Sequence, residues 1–272
     1  MRRGRETLAL SLLFVVASLT VAEVPRPLPR KPVALPSLKA EFKLCISEEN
    51  TDRATQTLKL NPQRAVKEVV CFFDTSDGAL DANHLILRAR QKSGQPGEST
   101  VRLRTTAAAA DLSDAERSIQ PEQDWTTETG PTLSRSVDRT SLAKGLVSKV
   151  AAGQAEEDDL FNAVQRQLVA LRMKDFPWEH LRRYGPIEAE VWAQQWKLYG
   201  FPEAVTVELW HLRWEDRTQD ILEVSAKARG QTEAQTQALA RQFFAAAKAA
   251  GLGEPAGQTK TTLVLVFFKP GR

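Results

Sequence analysis

Residues that bind metals or react through sulfur or imidazole are scarce in this sequence. It has two cysteines and three histidines among 272 residues. There is no CxxC pair and no cysteine–histidine cluster, so a zinc site is not indicated. His84, His180 and His211 are scattered along the chain without ligand spacing. We therefore expect structural roles for the histidines.

Net charge is also low. The 37 lysines and arginines and the 34 acidic residues leave a formal charge of +3, and much of this excess lies at Arg2, Arg3 and Arg5. Such a composition is not that of a polycationic nucleic-acid binder, and we expect no nucleic-acid partner. Any anion site must instead come from basic residues that cluster locally.

Long apolar runs are scarce, and the clearest lies near the N-terminus. Leu8 to Val21 is apolar, follows the basic residues and precedes a small-residue cleavage site at Ala22. This pattern is typical of a signal peptide, which we predict over residues 1–22. The run is short for a membrane span, although an uncleaved anchor is the alternative. We expect an exported protein, periplasmic or secreted, with no membrane attachment beyond the signal peptide.

Export implies an oxidising compartment, in which disulfides can persist. The two cysteines, Cys45 and Cys71, both lie in candidate strands near the start of the domain. One disulfide and two buried free thiols are both open on this basis.

Proline is concentrated in one segment. Five prolines fall between Glu23 and Ser37. So many prolines cannot form a helix or a central strand, because the residue lacks a backbone N–H. We predict an extended linker over residues 23–37 and a folded domain over residues 38–270.

Short segments with period-two alternation predict strands whose charged and aliphatic side chains face opposite sides. They are KAEFKLCI (39–46), LILRAR (85–90), VRLR (101–104), PEQDW (121–125), VTVELWHLR (205–213) and ILEVSAKA (221–228). Their polar faces carry Lys39, Glu41 and Lys43; Arg88 and Arg90; Arg102 and Arg104; Glu122 and Asp124; and Glu223, Ser225 and Lys227. The last two segments predict a hairpin, and the apolar run TTLVLVFF (261–268) predicts the final strand.

Helical spacing predicts helices over residues 141–152, 156–173 and 232–250, the last ended by Gly251. Strands therefore come first, then helices, then strands, with one helix before the last strand. This order favours an α+β domain with a mainly antiparallel sheet over a doubly wound parallel sheet.

The charged faces matter in combination. A single strand with two arginines on one side is explained by a sheet face in water. Several neighbouring basic strands are costly, because like charges opposite one another destabilise a sheet unless an anion lies among them. Arginine suits bidentate binding of phosphate oxygens, and carboxylates suit Mg²⁺ or Mn²⁺. If the sheet closes, these faces converge in a polar lumen.

One segment carries a specific pattern. Phe73-Asp74-Thr75 is followed by Asp77 and Leu80, and then by Leu87-Arg88-Ala89-Arg90. This pattern resembles the YFDT-x-D-xx-L … LR-x-R signature of the CYTH superfamily, also called triphosphate tunnel metalloenzymes. The strand of Lys39, Glu41 and Lys43 is similar to the ExExK strand of that family, with lysine in place of the first glutamate. VRLR, PEQDW and ILEVSAK resemble its later basic and acidic strands.

The resemblance implies a closed antiparallel barrel of about eight strands with covering helices, whose tunnel binds a triphosphate or polyphosphate ligand. It implies metal ligands at Glu41, Glu122, Asp124 and Glu223, and phosphate-binding groups at Lys43, Arg88, Arg90, Arg102, Arg104 and Lys227. The metal implied is Mg²⁺ or Mn²⁺. Such chemistry rests on positioning and electrostatics and needs no side-chain nucleophile.

Two departures from the family pattern keep two functions open. Lys39 stands at a usual metal-ligand position, and Ser225 stands where a second glutamate is often found. Fewer carboxylates weaken metal binding, while the basic groups still favour an anion. The expected function is a metal-dependent hydrolase of triphosphate or inorganic polyphosphate compounds, and the alternative is a non-catalytic periplasmic protein that binds polyphosphate or an organic phosphate.

Overall fold

The computed structural model describes residues 38–105, 112–253 and 258–268. The predicted signal peptide (1–22) and proline-rich linker (23–37) lie outside these residues, as do residues 269 and 270 at the end of the predicted domain. Within the described residues, no helix is long and apolar enough to cross a membrane.

Nine strands form a closed barrel in the order β1-β5-β6-β4-β3-β2-β7-β8-β9. The strands are β1 (Leu38–Ile46), β2 (Val66–Asp74), β3 (Leu85–Lys92), β4 (Gly97–Thr105), β5 (Pro121–Trp125), β6 (Thr132–Leu142), β7 (Arg182–Lys197), β8 (Ala204–Trp214) and β9 (Arg217–Gln231). The predicted hairpin is the β8–β9 pair. The α+β barrel is confirmed, with one strand more than the resemblance implied.

The barrel is not wholly antiparallel, which corrects the expectation. β1 and β5 run parallel, with Glu41 opposite Asp124 and Lys39 opposite Glu122. All other neighbouring strands are antiparallel. The parallel pair arises because β5 closes the barrel against the first strand, and it brings Glu41 into register with Asp124.

Helices cover the outside of the barrel on two sides. They are α1 (Glu48–Thr57), α2 (Ala79–Ala82), α3 (Asp114–Ser118), α4 (Leu146–Ala151), α5 (Ala163–Arg172) and α6 (Glu233–Ala249). One apolar core joins α1 and α6 to the outer faces of β1, β8 and β9. A second core joins α4 and α5 to the outer faces of β2, β3 and β4. The aliphatic strand faces are therefore buried outward.

Two predicted helices are shorter in the structure. Residues 141 and 142 still belong to β6, so the helix predicted over residues 141–152, which is α4, begins only at Leu146. Residues 157–160 form a 3₁₀ turn, and α5 starts only after Asn162, whose side chain accepts a hydrogen bond from the Gln165 N–H. α6 matches its prediction and is capped by Thr232 in the same way. Local capping chemistry sets these starts.

The predicted last strand is wrong. The run TTLVLVFF lies in a helix, α7 (Lys260–Phe268), which packs inside the barrel. Val264, Leu265, Phe267 and Phe268 are buried there with inward residues of β2, β7, β8 and β9. A helix that is apolar on nearly every side is typical of a buried environment. The pattern of a short, continuous apolar run is compatible with both a buried strand and a buried helix, so the sequence alone does not distinguish them.

The two cysteines are free and buried. Cys45 packs among the residues inside the barrel, whereas Cys71 packs outside it, under the covering helices. The wall of the barrel thus separates the two thiols, and the disulfide alternative does not hold. Burial raises the pKa of each thiol to about 12, so both are protonated at neutral pH.

Candidate functional site: a charged lumen

Strand alternation turns the predicted charged faces into the barrel. Leu87 and Ala89 are fully buried outward in the core under α4 and α5. Arg88 and Arg90 then point to the opposite side, into the lumen. Register supports this placement, because Arg88 lies opposite Phe72 on β2, a residue of the inner core. The inward position of the arginine pair is confirmed.

The lumen is a cavity of about 570 Å³ whose lining is mostly charged. Its basic residues are Lys39, Lys43, Arg88, Arg90, Arg102, Arg104, Lys227, Arg229 and Lys260, and its acidic residues are Glu41, Glu98, Glu122, Asp124, Asp138, Glu208 and Glu223. All ten residues that the sequence assigned to metal or phosphate line this one space.

Three carboxylates meet on the β1–β5 side of the lumen. Glu41, Glu122 and Asp124 each offer an oxygen within 4.8 Å of the other two. Lys43 Nζ lies 2.8 Å from Glu41 Oε2 and 2.6 Å from Asp124 Oδ1. Arg102 contacts Glu122 Oε2 at 3.1 Å and Asp124 Oδ2 at 3.3 Å. We call these three acids the acidic cluster; two cations already neutralise part of its charge.

Electrostatics keep Glu41 and Asp124 of the acidic cluster ionised. Burial alone would raise the pKa of Glu41, but Lys43, Lys227 and Arg102 hold it well below its usual range. The pKa of Asp124 is lowered in the same way, against burial, by Lys43 and Arg102 and by a hydrogen bond from the Ser134 hydroxyl. Its carboxylate partners raise the pKa of Lys43 despite burial. Glu41 and Asp124 are therefore negatively charged at neutral pH.

Among the four arginines of β3 and β4 that line the lumen, Arg88 differs from the other three. Arg102 is held by the acidic cluster, and Arg90 pairs with Glu98. Arg104 donates to the Thr259 hydroxyl at 3.2 Å. In the described parts of the chain, Arg88 has no hydrogen-bonded or ion-paired partner. Burial, followed by repulsion from Arg90 and Arg102, lowers its pKa, as expected of a cation that lacks an anion.

Glu223 does not join the acidic cluster. It lies opposite Glu208, and Lys260 of α7 lies between them, 2.9 Å from Glu223 Oε1 and in contact with Glu208 Oε2. Lys227, at the end of the lumen, is 3.7 Å from Glu41 Oε1, and its side chain is 58% exposed. Of the predicted metal ligands, the structure therefore brings three together and holds the fourth in a separate ion pair.

Some lumen residues were missed from the sequence. Glu208 lies on a predicted strand, and its alternation with the apolar Val207 and Leu209 would have placed it inward with the other charges. Glu68 also points inward, opposite Lys92, and among the described residues neither of its buried carboxylate oxygens has a hydrogen-bond partner. Lys260 could not be found, because its segment was assigned to a strand.

The signature that carried the resemblance mostly does structural work. Asp74 accepts hydrogen bonds from the backbone N–H groups of Thr75, Leu80 and Asp81. Thr75 in turn accepts from the Ala79 N–H and contacts Asp77. These bonds fix the α2 turn that leads into β3. The motif therefore sets where β3, the strand that carries Arg88 and Arg90, begins.

Comparison with known proteins bears on the fold. No family model matches the chain, and no curated protein matches it in sequence. A proposed adenylate cyclase from Bacillus halodurans matches with a TM-score of 0.50 at 15% identity, over 83% of this chain and 96% of that one.

Two further solved structures are similar over the same share of the chain. A proposed adenylyl cyclase from Hippeastrum, described as having a dominant triphosphatase activity, matches with a TM-score of 0.48 at 17% identity, over 83% of this chain and 94% of that one. A proposed adenylate cyclase from Vibrio parahaemolyticus matches with a TM-score of 0.40 at 12% identity, over 83% and 97%.

The chain has the CYTH fold. At such low identity the similarity concerns the fold alone, and it confirms the tunnel architecture expected from the Phe73-to-Arg90 segment. What the CYTH-fold lumen of this chain binds has to be argued from its own residues.

Proposed function

We propose that the protein is a metal-dependent phosphohydrolase that binds a triphosphate or short polyphosphate in its lumen. One observation carries the proposal: Arg88, a half-buried cation without an anionic partner among the described residues, shares a cavity with three converging carboxylates. A cation left unpaired in such a space is stabilised by an anionic ligand. Nearby carboxylates complement that ligand only if a metal lies between them.

The basic side of the lumen suits phosphate oxygens. Arg88 is free to donate to a ligand, and Arg90, Arg102 and Arg104 lie on the same two strands, β3 and β4. Arginine presents planar donors that match two phosphate oxygens at once. These side chains would hold and orient the phosphate chain and offset its charge.

The acidic cluster fits a hard divalent cation by its donor chemistry. Glu41, Glu122 and Asp124 supply only carboxylate oxygens, the ligands that Mg²⁺ and Mn²⁺ prefer. Both oxygens of Asp124 are engaged by Lys43, Arg102 and Ser134, so a metal would have to displace Lys43 from this carboxylate. A bound divalent cation would neutralise phosphate charge and lower the pKa of a water molecule.

The chain's own contribution is then positional and electrostatic. The arginines hold the phosphate chain against the acidic side, and Lys43, once displaced from Asp124, is free to turn to a phosphate oxygen. No lumen side chain needs to act as a nucleophile, because phosphoryl transfer depends mainly on alignment and charge stabilisation.

A second candidate function is binding without turnover. Lys43 bridges Glu41 and Asp124 at hydrogen-bond distance, which is an internal substitute for a metal in the same place. If Lys43 stays there, the lumen still offers the arginines to a polyanion, but water is not activated. This candidate is a polyphosphate- or organic phosphate-binding protein.

Phosphate release from tripolyphosphate tests the proposal. The purified protein is assayed with Mg²⁺ or Mn²⁺ across a broad pH range, with Glu122→Gln as the control variant. We expect metal-dependent release that the control lacks. Absence of release with either metal would exclude hydrolysis of this substrate.

A thermal-shift measurement separates the second candidate. Stabilisation by tripolyphosphate in EDTA, without turnover in metal, would favour the binding protein. No shift under any condition would leave the charged lumen without a phosphate ligand. Export to the periplasm or beyond is part of the same proposal and rests on the N-terminal sequence alone.

A further inference from the structure

Lys260 lies at the boundary between the charged and apolar parts of the lumen. It is the first residue of α7 and is only 8% exposed. Its Nζ atom is 2.9 Å from Glu223 Oε1 and contacts Glu208 Oε2. It also lies 4.0 Å from the centroid of the Trp210 ring, a cation–π contact. The ammonium group is thus enclosed by two carboxylates and an aromatic face.

The two carboxylates form a pair that needs a cation. Glu208 and Glu223 lie directly opposite each other on β8 and β9, and both point inward. Two buried like charges on directly opposite residues repel strongly unless a cation lies between them. Burial alone would raise the pKa of Glu208, but Lys260 lowers it to about 2. Glu208 is therefore ionised at neutral pH because the lysine is present.

We infer that Lys260 occupies the position of a second divalent cation, so that this lumen has a single metal site, at the acidic cluster. The inference rests on the proposed function and refines it. Mg²⁺ is commonly held in phosphate sites by one or two carboxylates, and paired ions are frequent there. An ammonium supplies the fixed positive charge of such an ion, but it cannot coordinate a phosphate oxygen or a water molecule as a metal does.

The inference removes Glu223 from the metal ligands that the sequence implied. It gives this acid a different task, which is to hold Lys260 and, through it, the start of α7. Thr259, the residue before Lys260, accepts a hydrogen bond from Arg104. The built-in cation therefore also fixes the closed end of the lumen beside a phosphate-binding arginine.

The stoichiometry of Mn²⁺ binding tests the inference directly. We expect the full-length protein to bind one equivalent of Mn²⁺, measured by titration calorimetry and electron paramagnetic resonance, and Glu41→Gln to abolish it. Glu223→Gln should leave the stoichiometry unchanged, since its partner is Lys260. Loss of an equivalent in Glu223→Gln would overturn the inference.

Removal of the lysine supplies the second arm. Lys260→Met leaves Glu208 and Glu223 without a cation, and we expect it to gain one equivalent of Mn²⁺ and a Mn²⁺-dependent rise in melting temperature. The matched control combines Lys260→Met with Glu208→Gln and Glu223→Gln, and it should show neither gain. A folded Lys260→Met that binds no additional Mn²⁺ would overturn the inference.

Folding failure also gives an answer. If Lys260→Met does not fold alone, refolding in Mn²⁺ should restore it. Failure of Mn²⁺ to restore a fold that the triple variant retains would contradict the inference. The proposed function fails differently: the wild-type protein then binds no Mn²⁺ and releases no phosphate, while Lys260→Met still changes from no equivalent to one.

Discussion

The interior of the barrel has two halves of opposite character, built by the same strands: an open half, which is the charged lumen, and a closed half, which α7 fills. In the open half, β1, β8 and β9 present Glu41, Glu208 and Glu223. In the closed half, the same strands present Cys45, Trp210 and Ile221 inward, packed against α7. One inward face thus changes from charged to apolar within a single strand. The closed half resembles a protein core, and the open half resembles a ligand site.

This difference indicates that the closed half contributes mainly to folding stability and the open half mainly to ligand binding. The closed half excludes water through apolar packing, which is favourable without any partner. The open half concentrates charges that are satisfied unevenly: Arg102 has carboxylates, whereas Arg88 has no partner in the described residues. Changes in the closed half should therefore act on folding, and changes in the open half should act on ligand affinity.

The largest effect is expected from a charge in the closed half. Val264→Asp places a carboxylate at a fully buried position, and we expect a loss of about 4 kcal/mol or more in the free energy of unfolding. Val266→Asp is the matched control, because this valine of the same helix is 55% exposed; its effect should stay within about 0.5 kcal/mol. Urea denaturation measures both. Equal effects of the two variants would mean that α7 does not fill the barrel.

Acid should weaken the open half next. The pKa of Glu208 is lowered from 4.5 to about 2, and those of Glu41 and Asp124 are also lowered. A group with a lowered folded-state pKa stabilises the protein above its unfolded value, and that stability is lost as pH falls towards the folded value. The loss from Glu208 is on the order of 3 kcal/mol between about pH 4.5 and about pH 2.

Urea midpoints recorded against pH check this prediction. Lys260→Met combined with Glu208→Gln and Glu223→Gln is the control, because it lacks the Glu208 carboxyl and the lysine that lowers its pKa. Its stability should fall less steeply below about pH 4.5 than that of the wild-type protein. Parallel pH profiles for the two proteins would contradict the role given to the Lys260 ion pairs.

The two arginines of the open half should respond differently. Arg102→Ala removes the partner of Glu122 and Asp124, and we expect a loss of about 2 kcal/mol in the free energy of unfolding. Arg88→Ala removes a cation that has no partner in the described part of the chain, so stability should stay unchanged or rise by up to about 1 kcal/mol. Each variant should weaken tripolyphosphate binding roughly tenfold or more.

Calorimetry with tripolyphosphate and urea denaturation of the ligand-free variants separate the two quantities. The comparison between the arginines is refuted if Arg88→Ala destabilises the protein as much as Arg102→Ala does. It is also refuted if Arg88→Ala leaves tripolyphosphate affinity intact.

The smallest effect is expected at Glu68. Burial raises the pKa of this carboxyl, although Arg90 opposes the shift. A carboxyl with a raised pKa favours the folded state below its unfolded value, and that contribution is lost as pH rises through the folded value. Glu68→Gln should therefore stabilise the protein by up to about 1 kcal/mol at neutral pH and by less in acid. A destabilised variant at neutral pH would show that Arg90 needs this charge.

Much of the barrel could be read from period-two alternation. The polar and aliphatic faces of β1, β3, β4, β5 and β9 were assigned correctly, because in each strand one face packs under helices and the other cannot. The resemblance of the Phe73-to-Arg90 segment then implied closure, which the local pattern could not. It did not imply the parallel β1–β5 pair, since strand direction depends on the path of the chain between distant segments.

The sequence predicted which residues line the site better than it predicted which of them contact one another. All ten predicted residues line the lumen, yet which carboxylate meets which cation follows from strand register and from α7. Glu223 shows the limit: its inward position is clear from ILEVSAKA, but its partner Lys260 comes from a helix whose apolar pattern is equally compatible with a strand.

The sequence by itself determined which side chains could be buried together, because alternation and charge decide the two faces of a strand locally. It determined in this way the charged inner face and the apolar outer face. Only the tertiary structure decided which charges neutralise each other, since ion pairs depend on distances between segments far apart in the chain. It left Arg88 without a partner among the residues described, held Glu223 with Lys260, and closed one half of the barrel interior with α7.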